Sequence, residues 1–437
     1  MKRNVYLAMK DLREAKEIFS GVWRGKKTLP ERINTEDALG RVTACPVYAG
    51  VSAPAYHSAA MDGIAVRAEM TYDATEQLPK VLTTGEDAVW INTGQALPEG
   101  YNAVIMVEKI HELDEGHLEI RSPAYPWQNI RKVGEDIVAT QLLFPQNYLI
   151  RPYDMGALVA AGVFTVMVRR QPRVIIIPTG AEIISPKDVT DFRQLRNNRI
   201  IDSNSITLAG LIREAGGAPR IFPITPDEEE AIRDALLKAA DSDADLILIN
   251  AGSSAGSKDY TANILADIGE VLVHGVAMMP GKPTILGIIG GKPIIGIPGY
   301  PVSAILSFEQ FAKPLLLNLQ GLKPRKSRTI TVRPSRNIPS KLGTEEFVRV
   351  NIGRVGDLSI ATPLPRSAGS ITTLTRAEGI IRIPPLSEGI GQEEETIAEL
   401  LVDDDDLINT VVIIGSHDIT LDVLADEVRN ASGRNIR

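Results

Sequence analysis

Residues 244–260 read Ala-Asp-Leu-Ile-Leu-Ile-Asn-Ala-Gly-Ser-Ser-Ala-Gly-Ser-Lys-Asp-Tyr. The run Ala244 to Ile249 is apolar and of strand length, the pattern of a strand buried on both faces of a parallel sheet. A helical pattern resumes from about Asp259. The small polar stretch between them therefore joins a strand's carboxyl end to a helix's first turn. Gly252 and Gly256 let the backbone curl so that N–H groups converge, and Ser253, Ser254 and Ser257 add hydroxyl donors. With the partial positive charge of a helix N-terminus, these make a pocket for a phosphate-like oxyanion. Asp259 either caps the helix or helps hold a divalent cation that bridges to phosphate.

The same alternation extends to both sides. Apolar strands at Val174–Ile177, Arg220–Ile224, Asp245–Ile249, Glu270–Val276 and Ile294–Ile297 alternate with helical runs near 204–215, 227–240, 259–267 and 302–319. That order predicts a doubly wound α/β domain with a mainly parallel sheet. Three strands end in loops of small polar residues: Pro178-Thr-Gly-Ala-Glu182, Asn250–Lys258 and Pro298-Gly-Tyr-Pro-Val-Ser303. Open α/β sheets bind ligands outside the carboxyl ends of their strands. Three such loops at one edge predict a single large anionic ligand.

Upstream, Tyr6, Ala8, Met9, Leu12, Ala15 and Phe19 recur at helical spacing. A short helix is expected from Asn34-Thr-Glu-Asp-Ala-Leu to Gly40, and a strand at Arg41–Pro46. Between Tyr72 and Glu119 short strand patterns alternate with turn residues, a β-rich signature. Residues 136–171 then return to strand, helix and strand, so the β-rich piece reads as an insertion. Downstream of the basic run Lys323–Arg328, strands at Thr329–Arg333, Glu346–Ile352, Leu358–Thr362 and Gly379–Ile383 predict a small β-barrel-like domain. The division is 1–50 with 136–171, an elongated mixed domain; 51–135, inserted; 172–322, α/β; 323–402, barrel; and 403–437, an acidic hinge with one strand and one helix. A lone βα pair cannot bury its apolar face, so it docks on the barrel or opens a further, truncated domain.

A chain of 437 residues is too long for one core. A net charge of −8 and 5% aromatic residues argue against a nucleic-acid surface. The single cysteine, Cys45, excludes an intramolecular disulfide. No apolar run is long enough for a bilayer and the N-terminus has no signal-peptide core, so a cytoplasmic protein without a membrane partner is expected. The five histidines show no metal-ligand spacing.

Taken in order, Met61-Asp62-Gly-Ile-Ala65, Asn92-Thr-Gly94 with Pro98-Glu-Gly100, Asn129–Asp136, Pro178–Glu182, Ile201-Asp-Ser-Asn204, Asn250–Asp259, Pro280-Gly-Lys-Pro283 and Pro298–Ser303 resemble one family. It is the molybdopterin molybdenumtransferases, the MoeA and gephyrin E-domain group, and the resemblance covers residues 5 to about 400. It implies a multidomain α/β fold: an elongated mixed domain with an inserted β-rich domain, a doubly wound MogA-like α/β domain and a small C-terminal β-barrel. It implies Mg²⁺-dependent insertion of molybdate into adenylated molybdopterin with release of AMP, in molybdenum cofactor biosynthesis. It implies a homodimer whose clefts draw on both copies, and a molybdopterin adenylyltransferase as a partner. Carried over, Asp259, Glu182, Asp227 and Asp62 become catalytic, with Asp259 and Glu182 at the metal. Thr93, Arg131, Thr179, Gly252, Ser253, Ser254, Gly256, Lys282 and Ser303 become substrate or anion ligands. Met279 and Tyr300 stand where the family carries lysine and asparagine, which keeps open a non-catalytic pterin or oxyanion scaffold or sensor. Nucleotidyl transfer by the α/β domain is a third reading. The end of the chain, Ile414–Asp422, resembles the start of a periplasmic-binding-protein-like domain fused to some relatives, which implies a ligand-sensing module.

Overall fold

The computed structural model describes residues 9–196, 198–251, 260–392, 394–403, 407, 409–413, 415 and 418–436. They form two compact units, Leu29–Arg169 and Met1–Thr28 with Arg170–Arg437.

The larger unit is built on a six-stranded sheet. Its spatial order is Ala218–Ile221, Arg173–Ile177, Leu246–Ala251, Lys292–Pro298, Ile285–Ile289 and Glu270–His274. The first four strands are mutually parallel, as their apolar runs predict, and the last two are antiparallel to their neighbours. The strand Ile285–Ile289 is absent from the sequence-based expectation. It forms a hairpin with Lys292–Pro298 through Gly290 and Gly291, whose φ values of 56° and 76° suit a two-residue turn that twists with its strands.

Both faces of the sheet are covered. Val174, Ile176, Leu246 and Leu248 pack with Leu208 and Ile212 of the helix Asn204–Glu214 and with Leu315 and Leu316 of Lys313–Gln320. Ile175, Ile177, Ile247 and Ile249 face the other way, against Ile232 and Leu236 of Glu229–Asp241 and Ile264 and Leu265 of Tyr260–Ile268. Each such side chain contributes about 1.5–3 kcal/mol on full burial, and its alternation between the faces explains the unbroken apolar runs. The helix Leu12–Trp23 is capped by Asp11, whose carboxylate accepts the Glu14 N–H at 2.8 Å. It buries Leu12, Ala15 and Phe19 in the first of these cores, with the Phe19 ring edge-on to Phe311, centroids 6.3 Å apart. The helix that opens at Pro301 widens to a π turn at Phe308–Ala312 before Lys313–Gln320.

Five strands close a barrel: Glu345–Val355, Leu358–Pro363, Thr329–Pro334, Thr396–Leu400 and Gly379–Ile383, which pairs back to the first. Val332, Val350, Ile381 and Ala398 fill it. The strand Thr396–Leu400 is one more than its sequence pattern predicts, because its half-buried residues alternate weakly. Beyond it, Thr410–Val411 pairs in parallel with Asn435–Ile436, and the helix Ile419–Ser432 lies between them in sequence.

In the smaller unit, Pro30–Asn34 pairs antiparallel with Thr165–Arg169, and the helix Pro152–Ala160 is held at its start by Asp154, which accepts the Arg151 N–H. The helix expected near Asn34 is a single 3₁₀ turn, Thr35–Asp37. The strand expected at Arg41–Pro46 is reduced to isolated bridges at Val42 and Thr43, followed by Val47–Tyr48; Pro46 has no N–H to give a ladder. Two three-stranded sheets follow. In one, Gly63–Val66 lies between Ala88–Ile91 and Ala103–Met106, with every residue of the central strand buried. In the other, His117–Ile120 lies between Lys80–Thr83 and Ile110–Asp114.

Candidate active site

Because four strands of the large sheet run in parallel, the loops after Ile177, Ile221, Ala251 and Pro298 leave from one edge. The loops after Ile177 and Ile221 are tied to each other and to the strand Leu246–Ala251. The Thr179 hydroxyl donates to the Asn250 carbonyl at 2.5 Å. The Thr225 N–H donates to the Pro178 carbonyl at 2.8 Å, and the Gly180 N–H donates to the Thr225 carbonyl at 3.2 Å. Gly180 has φ +135°, and the Glu182 carboxylate folds back to 3.0 Å from where a Cβ on Gly180 would stand. Glu182 and Asp227 are exposed. Ser303 is buried, in the first turn of the helix that follows Pro298. The Asn204 amide donates to the Gly299 carbonyl at 2.7 Å, and Asp202 accepts the Ser205 N–H at 3.0 Å, which fixes the start of that helix against its neighbour.

Lys282 joins this edge through the hairpin. Ile285 lies opposite Gly296, so the strand Ile285–Ile289 starts where Lys292–Pro298 finishes. The turn before it is rigid. The Val276 N–H donates to the Lys282 carbonyl at 3.0 Å, and the Thr284 hydroxyl donates to the Gly281 carbonyl at 2.7 Å. Gly281 has φ +122°, and a Cβ there would stand 2.4 Å from Met278 Cε. Thr179, Glu182, Asp227, Lys282 and Ser303 thus belong to loops and turns at one sheet edge. Gly252, Ser253, Ser254, Gly256 and Asp259 lie outside the described residues.

Asp62, Thr93 and Arg131 belong to the smaller unit. The Thr93 N–H donates to the Asp62 carboxylate at 2.6 Å, and the Val107 N–H to the Asp62 carbonyl at 3.0 Å. The Thr93 backbone bond, reinforced by its hydroxyl, holds the exposed Asp62 carboxyl below its ordinary pKa. Gly63 is needed beside it, since a Cβ there would stand 1.9 Å from the Ile105 carbonyl oxygen. Arg131 is exposed, opposite Ser58 in a short antiparallel ladder, with Glu135 at 3.9 Å.

One element of this region escapes the sequence reading. The loop Pro363–Ile371 of the barrel reaches the helix start at Tyr300: the Val302 N–H donates to the Ala368 carbonyl at 3.0 Å. Arg349, 2% exposed, holds the loop by donating to the carbonyls of Pro365 at 2.7 Å and Ser367 at 3.2 Å. Burial, and then the like charge of Arg366, depress the Arg349 pKa. The cluster Arg366-Ser-Ala-Gly-Ser370 after a strand was the available signal. Among the described residues no group of three or more His, Cys, Asp or Glu side chains is placed to hold a metal. No described helix is long and apolar enough to cross a membrane.

Comparison with known proteins finds three family models that match in order along the chain. Residues 8–162 match the MoeA N-terminal region (domain I and II), residues 175–318 a probable molybdopterin binding domain, and residues 331–396 the MoeA C-terminal region (domain IV). The chain belongs to the MoeA family. A putative molybdopterin biosynthesis protein of Methanocaldococcus jannaschii is 32% identical over 374 residues, 83% of this chain and 90% of that one. Molybdopterin molybdenumtransferase 2 of Mycobacterium tuberculosis is 32% identical over 404 residues, 86% of this chain and 96% of that one. Two crystal structures of the molybdopterin biosynthesis MoeA protein from Pyrococcus horikoshii superpose with TM-scores of 0.75 and 0.68, at 31% and 29% identity. They cover 91% and 90% of this chain and 100% of each of theirs. The fold of this MoeA-family chain is accordingly the multidomain α/β fold with a closed five-stranded C-terminal barrel, and its family places it in molybdenum cofactor biosynthesis.

Proposed function

We propose that this chain is a molybdopterin molybdenumtransferase, which inserts molybdenum from molybdate into adenylated molybdopterin and releases AMP. The observation that carries the reading is the gathering of Thr179, Glu182, Asp227, Lys282 and Ser303 at the carboxyl edge of one parallel sheet. Molybdate is a dianion and the adenylate carries a pyrophosphate. Such groups call for a cation in a rigid turn, for N–H and hydroxyl donors, and for glycines that let the backbone approach. In this reading Lys282 and Ser303 bind oxyanion, Thr179 lines the same pocket, and Asp227 is catalytic. The segment Gly252 to Asp259 would supply further anion ligands. Asp62, Thr93 and Arg131 act on the substrate across the dimer, from the inserted domain of a second copy of the chain.

Glu182 and Asp259 would hold Mg²⁺. The donor set is all oxygen, as Mg²⁺ prefers, and Asn250, whose carbonyl accepts the Thr179 hydroxyl, is 7% exposed with an Oδ1 that has no hydrogen-bond partner among the described residues. Mg²⁺ held there would supply positive charge against the negative charge of the pyrophosphate. We further propose a cytoplasmic homodimer, which sedimentation would report, and a molybdopterin adenylyltransferase as the supplier of substrate.

The test supplies purified protein with adenylated molybdopterin, Mg²⁺ and molybdate, and follows AMP and loaded cofactor. Wild type should form both, and Asp259→Ala should lose at least 100-fold; full activity in the variant, or none in wild type, refutes the assignment. Met279 and the exposed Tyr300 favour one second reading, a scaffold that binds pterin without turnover. Calorimetry separates the two: tight pterin binding with no AMP release supports the scaffold.

A further inference from the structure

Trp127 occupies a backbone conformation that large side chains avoid. Its φ is +70°, where glycine is at ease and a bulky residue is an outlier. The turn that imposes it is firmly made. The Trp127 N–H donates to the Asn102 carbonyl at 2.6 Å, the Gln128 N–H to the Tyr125 carbonyl at 3.0 Å, and the Tyr125 N–H to the Gln128 side chain at 3.1 Å. Yet the strained residue is not buried, with 41% of its surface exposed. A structural anchor would be inside; a strained aromatic held in solvent suggests a contact still to be made.

Its neighbours point to the kind of contact. The Lys132 ammonium lies 5.1 Å from the centre of the Trp127 ring, and the His57 ring lies 4.9 Å away, tilted by 57°. His57 is fixed in turn, because its Nδ1 accepts the Val133 N–H at 3.1 Å. His57 and Lys132 each adjoin the Ser58–Arg131 pair of the ladder, so the indole, the imidazole and two cations sit at one end of it. Tyr56, half exposed, donates from its hydroxyl to the Gly94 carbonyl at 3.2 Å, which ties this patch to the turn that carries Thr93. Flat π surfaces interleaved with cations suit a planar, electron-poor heterocycle that carries phosphate.

We propose that Trp127 is the stacking platform for the fused nitrogen heterocycle of a phosphorylated ligand, with His57 at its side. Lys132, on its flexible stem, and Arg131 meet the phosphate. Pterin and purine share this chemistry, and the adenylated substrate contains both. The proposal rests on the functional reading above and adds to it the residues that select for the heterocycle.

The test is titration of the full-length protein with two separate probes, neopterin and AMP, followed by pterin fluorescence quenching and by calorimetry. Wild type should bind at least one probe, and the probe that binds identifies the ring that stacks. Trp127→Gly should weaken that binding at least tenfold, while its thermal transition stays at or above that of wild type, since glycine relieves the turn. Trp127→Phe, which keeps a π face, should stay within about threefold of wild type. Equal binding by Trp127→Gly and wild type, or binding of neither probe by wild type, overturns the platform. Molybdenum insertion is scored separately, so the platform can fail while the wider reading stands.

Discussion

Gly63→Ala is a single methyl group placed where the fold has no room. A Cβ at this position would stand 1.9 Å from the Ile105 carbonyl oxygen and 3.0 Å from Met106 Cα. Both are backbone atoms, so no side chain can swing aside. The strand Gly63–Val66 is the centre of its sheet, paired on both sides, and Ile64, Ala65 and Val66 are fully buried. Relief therefore requires the edge strand Ala103–Met106 to move away. Overpacking of this kind costs about 1–3 kcal/mol, and each ladder bond lost adds about 0.5–1.5 kcal/mol. We expect a total near 2–5 kcal/mol. The neighbouring residue is Asp62, so its bond to the Thr93 N–H should be disturbed as well. Urea unfolding followed by tryptophan fluorescence is the assay, because Trp90 lies directly opposite Ile64. The midpoint should fall, and molybdenum insertion should drop at least tenfold at urea-free conditions where the variant is folded. A midpoint within error of wild type would show that the sheet yields, and would refute the close-contact reasoning.

Other expectations follow from packing and charge. Phe19→Ala should cost about 3–5 kcal/mol in urea, since it empties a fully buried ring site against Phe311; a loss below 1 kcal/mol would mean that the first helix is not part of that core. Arg349→Met should cost about 1–3 kcal/mol through the orphaned carbonyls of Pro365 and Ser367, and should speed proteolysis within Pro363–Ile371; unchanged cleavage there would contradict the role given to Arg349. The depressed Asp62 pKa has a sign consequence. A carboxyl with a lowered folded pKa stabilises the fold above its unfolded value, about 3.9, and loses that contribution as pH falls through the folded value. The melting difference between wild type and Asp62→Asn should thus be constant from neutral pH to about 4 and shrink below it; a difference that grows on acidification would reverse the assignment.

The α/β domain was legible because strands buried on both faces carry no polar interruptions: Val174 to Ile177 and Leu246 to Ile249 are at most 2% exposed. Their loops were legible for the same reason, as glycines and hydroxyls stand out against such runs. What failed was local. The pair Gly290–Gly291 turns a hairpin between two apolar strands, of which the sequence pattern predicts only the second, at Ile294–Ile297. Thr396–Leu400 alternates too weakly to announce a strand, and its place in the barrel is set by partners far away in sequence. The π turn at Phe308–Ala312 has no local signature. Of the candidate site, the loop residues at the sheet edge could be named from sequence. The loop Pro363–Ile371 carries a local signal in Arg366–Ser370, but its place beside Tyr300 is not local, since a buried arginine on another strand holds it. The strain at Trp127 was equally hidden, because backbone φ is not written in composition.

The proposed activity requires an oxyanion at one place in the fold. A crystal of the full-length protein soaked with molybdate and a pterin nucleotide locates it directly by anomalous scattering from molybdenum. The expected peak lies within hydrogen-bonding reach of the Lys282 ammonium, at the carboxyl edge of the strands Arg173–Ile177, Leu246–Ala251 and Lys292–Pro298. A molybdenum peak elsewhere, with that edge empty, would contradict the central claim.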